Sequence, residues 1–320
     1  MTTYIARRLL QSVPILLGIT VLTFLLAKAM PGDPFSTLLS PGVTQTDLER
    51  LRGLAGLKAP LHVQYLRWLS NLVQGNFGMS ISHNQPVATV IADRIAPTVA
   101  LGIGSLIIGL LFGILFGVIS AVRKYTLVDA VFTVGALAGI SAPTFFVGLL
   151  AIKYLSITLG WFPSSNLVTP GLSAPFPYNY LDVAHHLVLP TLVLGAATIG
   201  GMMRFVRSGL LDVLSQDYVR TARSKGLNER VVVYRHALRN ALIPVVTILG
   251  LSLPNVVGGA IITEQVFSIP GMGRMSFLAV LSRDYPLIMA TTVLFAVLTV
   301  AGNLLADVAY AWVDPRIRYD

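Results

Sequence analysis

Apolar residues run almost unbroken through six stretches of this chain, and the polar and charged residues collect between them. The stretches lie near Leu9 to Met30, Pro97 to Val122, Ala130 to Leu159, Leu187 to Val206, Ala241 to Ile262 and Leu287 to Val313. Each has the roughly 20 residues an α-helix needs to cross about 30 Å of hydrocarbon. Backbone amides have no water to bond in lipid, so each stretch is predicted to be a membrane-spanning helix. The third is longer than required and is interrupted by Ser141-Ala142-Pro143, which predicts a tilt, a kink or an extension beyond the bilayer. The first is too long for a cleaved leader and is followed by Pro31-Gly32-Asp33-Pro34 rather than a small-residue cleavage site, so it reads as a retained helix.

Between the spans, polarity is unevenly shared. Residues 31–96 form a large segment with helical patterning of their own: Leu48, Leu51 and Leu54, then Val63, Leu66, Leu69 and Leu72, recur every three residues. Residues 160–186 carry Gly160, Pro163, Pro170, Gly171, Pro175 and Pro177 and read as an irregular loop. A third loop, from about Thr263 to Pro286, contains the turn Pro270-Gly271-Met272-Gly273. Within the second span, Gly109, Gly113 and Gly117 fall on one helix face, a pattern that lets a neighbouring helix approach closely. Gly200-Gly201 and Gly258-Gly259 are read the same way.

Composition agrees with a lipid setting: 54% of residues are hydrophobic and 12% charged, about half the charged share of a soluble domain. The charges also orient the chain, because cytoplasmic loops hold an excess of Lys and Arg. With the N terminus inside, Arg7, Arg8, Arg123, Lys124, Arg204, Arg207, Arg220, Arg223, Lys225, Arg230, Arg235, Arg239, Arg316 and Arg318 fall on the cytoplasmic side. The outer side has only Arg50, Arg52, Lys58, Arg67, Arg94, Arg274 and Arg283. The net charge of +9 is therefore a topology signal. A nucleic-acid binder would need a basic soluble domain with aromatic stacking positions, and no such domain occurs. Cysteine is absent, which excludes disulfides and thiolate metal sites.

The most informative segment is the basic stretch from Arg204 to Arg239, between the fourth and fifth spans. Leu210, Leu211 and Leu214 predict one short helix, and Tyr218 to Lys225 a second. Gly226 is a left-handed stop, and Val231, Tyr234, Leu238 and Ala241 predict a third helix running into the fifth span. Helix, glycine turn and helix make a rigid knob suited to receive force from a soluble partner.

The knob reads Asp217-Tyr218-Val219-Arg220-Thr221-Ala222-Arg223-Ser224-Lys225-Gly226-Leu227, followed by His236-Ala237-Leu238-Arg239-Asn240-Ala241-Leu242-Ile243-Pro244. It resembles the coupling loop of ABC importer permeases, the peptide and nickel branch most closely. Where the wider family has Glu-Ala-Ala, this chain has Arg220-Thr221-Ala222. Arg7-Arg8, Pro31-Gly32-Asp33-Pro34, Gly75-Asn76-Phe77-Gly78, Ser141-Ala142-Pro143-Thr144-Phe145, Gly160-Trp161-Phe162-Pro163, Leu189-Pro190-Thr191, Phe267-Ser268-Ile269-Pro270-Gly271, Arg283-Asp284-Tyr285-Pro286 and Asp314-Pro315-Arg316-Ile317-Arg318 extend the resemblance along nearly the whole chain. Together they look like the B-type permease of dipeptide and oligopeptide transporters.

That resemblance implies an all-α integral membrane protein, a six-transmembrane-helix type I ABC importer permease with both termini cytoplasmic. Residues 1–320 would form one permease domain, with 31–96 extracytoplasmic and 204–240 the cytoplasmic coupling loop. It also implies a second homologous permease, two ATPase subunits, an extracytoplasmic substrate-binding protein, and residence in a bacterial or archaeal inner (plasma) membrane. Asp217, Tyr218, Arg220, Thr221, Ala222, Arg223, Lys225, Gly226 and Leu227 would contact an ATPase subunit. Asn255 and Glu264, at the outer end of the fifth span, are candidates to line the translocation path. No Gly-x-x-x-x-Gly-Lys-Ser/Thr occurs, so this chain holds no P-loop; ATP and Mg would be bound by the partner ATPases, and no cofactor or catalytic residue is expected here. Short peptides are the favoured passenger, with nickel chelates, glutathione and oligosaccharides as alternatives.

Two other classes fit less well. An ion-coupled secondary transporter generally keeps ionisable groups deep in its spans, whereas Lys28, Lys153 and Asp307 all lie toward span ends. An intramembrane enzyme or metal site needs a constellation. His185 and His186 are adjacent and diverge by about 100° on a helix, while His62, His83 and His236 are scattered.

Overall fold

A computed structural model describes residues 2–30, 59–171, 178–242, 245, 248, 249, 252, 256 and 260–313. The described residues are almost entirely helical: α1 (Thr2–Ala29), α2 (Leu61–Val73), α3 (Val87–Val122), α4 (Leu127–Ser141), α5 (Thr144–Ala151), α6 (Tyr178–Leu214), α7 (Asp217–Ser224), α8 (Glu229–Val231), α9 (Leu238–Ala241), α10 (Ile261–Val266), α11 (Met272–Leu281) and α12 (Tyr285–Val313). Helices α1, α3, α6 and α12 are long and apolar enough to cross a membrane. The predicted third span is α4 and α5, the latter prolonged by a π-helical segment, Ile152–Thr158, with a bend of 105° at Ala142-Pro143. Pro143 cannot donate to a helical ladder, and it disfavours the helical conformation of Ala142 before it; Ala142 is accordingly extended, at φ −72° and ψ 129°. The break is thus far sharper than the kink the sequence predicts. Most of the predicted fifth span lies outside the described residues, as do the proposed helix around Leu48 to Leu54 and the Asp314–Arg318 motif.

Two loops are more regular than their composition predicts. Helix α6 begins at Tyr178, inside the region read as irregular up to His186. The segment read as a loop after Thr263 is mostly helix, α10 and α11, with the Pro270-Gly271 turn between them.

The chain forms two compact units. The first comprises residues 1–95 and 275–300. Its α2 has no fully buried residue but sets Tyr65 and Trp68 against Phe24 of α1. The Phe24 and Tyr65 rings meet edge-on at 5.5 Å, and Thr20 Oγ1 lies 2.9 Å from Tyr65 Oη. In the same unit, Asp284 is fully buried and accepts hydrogen bonds from Ser80 Oγ at 2.5 Å, Ser82 N at 2.9 Å and Ser82 Oγ at 2.6 Å.

The second unit comprises residues 96–274 and 301–320. The glycine stripe of α3 does what its spacing predicts. Gly109, Gly113 and Gly117 press on Thr198, Met202 and Val206 of α6, and a methyl group at any of the three would fall 2.3 to 2.7 Å from those side chains. On another side of α6, Gly200 lies against the backbone of Ala136 in α4. Below the stripe, Val118, Ala121, Met202, Val206 and Leu210 pack with Val233, Ala237 and Ala241 into one apolar cluster.

Candidate functional site: the polar knob after helix α6

Helix α6 does not stop at the end of its apolar run but continues to Leu214, so Leu210, Leu211 and Leu214 belong to it rather than to a separate short helix. After two intervening residues α7 begins. Its apolar positions three apart, Val219 and Ala222, are buried against Val232 and the end of α6 at Val213 and Leu214. The opposite face is polar and exposed, carrying Asp217, Tyr218, Arg220, Thr221 and Arg223, and Lys225, Gly226 and Leu227 follow it in the open. Of the nine residues the sequence assigns to a contact surface, eight are therefore presented outward and Ala222 anchors the helix.

Gly226 closes α7 in the left-handed region at φ +78°, its N–H bonding to Arg223 O at 2.9 Å. No atom lies within 4 Å of where its Cβ would stand. The glycine is thus required by backbone conformation, as the left-handed stop read from the sequence, and not by crowding. Asn228 then caps the next helix through its side-chain oxygen, which accepts from Arg230 N at 2.9 Å. That helix, α8, passes through a π-helical segment, Val232–Ala237, into α9.

Three polar contacts stiffen the knob. Arg223 grips Glu229 with two hydrogen bonds, Nε to Oε2 at 3.1 Å and Nη2 to Oε1 at 2.6 Å. These bonds hold the Glu229 carboxyl below its ordinary value and raise Arg223 above its own. Asn240 Nδ2 donates to Tyr218 Oη at 2.7 Å, tying α9 to the exposed face of α7. Arg220 lies 3.5 Å from Asp217 on the solvent side. So Arg223 already has an internal partner, whereas Arg220 is mostly exposed. Beside the knob, Val118, Ile119, Arg123, Glu229, Arg230 and Tyr234 line a groove of about 360 Å³.

At the root of the knob is an ion pair that sequence reasoning missed. Arg207 of α6 reaches Asp129 of α4 through Nε to Oδ1 at 2.8 Å and Nη2 to Oδ2 at 2.7 Å. Ser120 Oγ of α3 donates to the same carboxylate, as does Tyr125 N at 2.9 Å. Three helices meet there. In the sequence Arg207 is one more basic residue of the platform, and only its position three turns before the knob separates it from the rest.

The path candidates fare differently. Asn255 lies outside the described residues. Glu264 is fully buried: Oε1 accepts from Thr98 Oγ1 at 2.8 Å and Oε2 from Arg274 N at 2.8 Å, while Gly271 packs directly on the carboxyl group. It braces the turn between α10 and α11. The adjacent histidines bond to backbone: His185 Nε2 to Trp161 O and His186 Nδ1 to Asp182 O, both at 2.9 Å. Among the described residues, no group of three or more His, Asp or Glu side chains is arranged to hold a metal.

Residues 113–319 match the family model described as "Binding-protein-dependent transport system inner membrane component", and residues 1–102 match the N-terminal model of the same component. The chain belongs to this family. It is a multi-pass membrane component of a transport system that works with other subunits, and its relatives are transport permeases rather than enzymes. The oligopeptide transport system permease protein AppB of Bacillus subtilis is 48% identical over 320 residues, covering all of both chains. A putative peptide permease of Brucella suis is 44% identical over 321 residues, covering 99% of each. The glutathione transport system permease protein GsiC of Escherichia coli K12 is 41% identical over 319 residues, again covering all of both. In fold, the chain is similar to one from an inward-facing structure of the MetNI methionine ABC transporter, with a TM-score of 0.51 and 18% identity, covering 71% of this chain and 97% of that one.

Proposed function

We propose that this permease forms half of the translocation path of an ATP-driven importer of short peptides, glutathione being one member of that class. The observation that carries the reading is end-to-end similarity at 48% identity to an oligopeptide permease, with no large insertion or loss that would change the architecture. A second homologous permease completes the path. An extracytoplasmic binding protein delivers the passenger, and two cytoplasmic ATPase subunits, which hold ATP and Mg, supply the work. Residues 31–96 lie on the delivery side and 204–240 on the cytoplasmic side, with the fifth span as a sixth crossing.

The exposed face of α7, with Gly226 and Leu227, seats in a groove of an ATPase subunit. Its support is geometric: a short helix anchored by Val219 and Ala222, stiffened by Arg223–Glu229, and joined to the end of the longest helix. Lys225, and Arg220 on exchanging its exposed contact with Asp217, are the cations placed to meet acidic groups there.

Affinity purification from the native membrane in mild detergent, followed by identification of stoichiometric companions and a peptide-uptake assay in vesicles, tests the proposal. Recovery of a second permease and ATPase subunits with ATP-dependent uptake is the expected result. Recovery of the chain alone in a form that still transports would overturn it.

A further inference from the structure

Within the second unit, α3, α6 and the described residues ahead of α10 border a partly open cavity of about 260 Å³. Its lining includes Thr98, Gly102, Ser105, Thr198, Ser252 and Val256. A side chain on Gly102 would meet Val256 O at 2.7 Å, so the glycine is what lets that wall close in. Among the described residues, none that lines it is charged. Four hydroxyls, those of Thr98, Ser105, Thr198 and Ser252, are however placed along it, and Thr98 and Ser105 are more than nine-tenths buried.

Each hydroxyl has one proton to donate and two lone pairs to accept with. Here the proton is already committed in three cases. Ser105 Oγ donates to Gly102 O, Ser252 Oγ to Ile248 O and Thr98 Oγ1 to Glu264 Oε1, each at 2.8 Å. Thr98 also spends one lone pair on Met272 N at 2.7 Å. What these three hydroxyls offer a guest is therefore acceptor capacity, while Thr198 keeps a proton to donate. A carboxylate would find that single hydroxyl donor and no counter-charge, so a bare charge would be desolvated at a cost of several kcal/mol. A neutral N–H group is satisfied.

We infer that this cavity is a passenger subsite that takes the uncharged amide N–H edge of a peptide, reading backbone rather than side chain. Its volume falls below the roughly 300 to 1,000 Å³ of a site enclosing a whole drug-sized ligand, so it holds a part of the passenger, away from the charged ends. The inference rests on the peptide-importer reading and adds to it where in this subunit the peptide backbone is held.

The chain contains no cysteine, so single cysteines report cleanly. Ser105→Cys and Ser252→Cys, each in the complete transporter in membrane vesicles, are labelled with a small uncharged maleimide with and without saturating trialanine; Ser282→Cys, exposed in the other unit, serves as the control. The expected result is labelling slowed by more than about twofold at both cavity positions, twofold being the value already reached at half occupancy, with Ser282→Cys unchanged. Trialanine uptake by the parent transporter with no protection at either cavity position would overturn this inference alone. Absence of peptide uptake by the parent would overturn the importer reading, and this inference with it.

Discussion

Arg207 and Asp129, 78 residues apart in sequence, form a two-pronged ion pair at the point where α3, α4 and α6 meet. Asp129 is 4% exposed and the Arg207 side chain 26%, so removing Arg207 strands a carboxylate in a poorly solvated place, while removing Asp129 leaves a partly solvated cation. Arg207→Met is expected to destabilise the purified permease by about 3 kcal/mol, and Asp129→Asn by less. The double variant should recover part of that loss, with a coupling of at least about 1 kcal/mol in a thermal-unfolding cycle. Strict additivity would mean the two groups act independently.

Gly226 provides a graded test of the knob. Its left-handed backbone costs an ordinary residue about 1 to 2 kcal/mol, while Asn tolerates that region better. Since nothing crowds the position, uptake at matched membrane abundance should fall in the order Gly, Asn, Ala, Val. Equal uptake by all four would mean the turn's conformation is irrelevant to transport.

Asp284 predicts a pH dependence with a definite sign. Burial pushes its carboxyl up, but hydrogen bonds from Ser80, Ser82 and the backbone of Ser82 and Ile81 outweigh burial and hold it below its ordinary value. A carboxyl depressed in the folded state stabilises fully above its unfolded value of about 3.9. That contribution is lost as pH falls through the lower folded value. The melting-temperature gap between the parent and Asp284→Asn should therefore be constant from neutral pH to about pH 5 and narrow below about pH 4. A gap that widens on acidification would contradict the assignment.

The glycine stripe can be separated from glycines that do nothing similar. Gly113→Ala puts a carbon 2.6 Å from Met202 Cβ, whereas nothing lies within 4 Å of a Cβ at Gly201. Gly113→Ala is expected to cost about 1 to 3 kcal/mol by overpacking, and Gly201→Ala to be neutral or slightly stabilising. Comparing melting temperatures of the two in one detergent decides it.

Glu264 is expected to act on stability and not on affinity for the passenger. In Glu264→Gln one carboxyl oxygen becomes an NH₂ facing a donor, either Thr98 Oγ1 or Arg274 N. A buried mismatch of that kind costs about 1 to 3 kcal/mol. Uptake at saturating peptide should fall with the amount of folded permease while the half-saturating concentration stays unchanged; a shifted half-saturation would put Glu264 on the path.

What could be read from the chain divides along physical lines. Spans 1, 2, 4 and 6 were legible because lipid demands long apolar runs, and the Gly109 stripe because helical periodicity is local. The knob was legible for the same reason: Val219, Ala222 and Gly226 lie within one short stretch. Asp129–Arg207 and Asp284–Ser80 were not, since a buried carboxylate is defined by a partner far away in sequence, 204 residues in the second case. The hydrogen bonds of Glu264 were not legible either, because its place near a span end is local while Thr98 lies 166 residues away. The helices α10 and α11 were hidden by Pro270 and Gly271, whose turn lies between them rather than dissolving them.

Helix α6 runs 37 residues from Tyr178 to Leu214, about 55 Å at 1.5 Å per residue. It carries Thr198 of the cavity wall partway along and delivers the chain to the knob at its end. Its neighbours cannot slide freely over it, because the glycines of α3 are seated against Thr198, Met202 and Val206. On the proposed reading, a push at the knob would therefore carry α3 along with the proline-free stretch of α6 from Thr198 to Leu214 rather than being lost in side-chain rearrangement. Motor and cargo would then be geared to a single shaft.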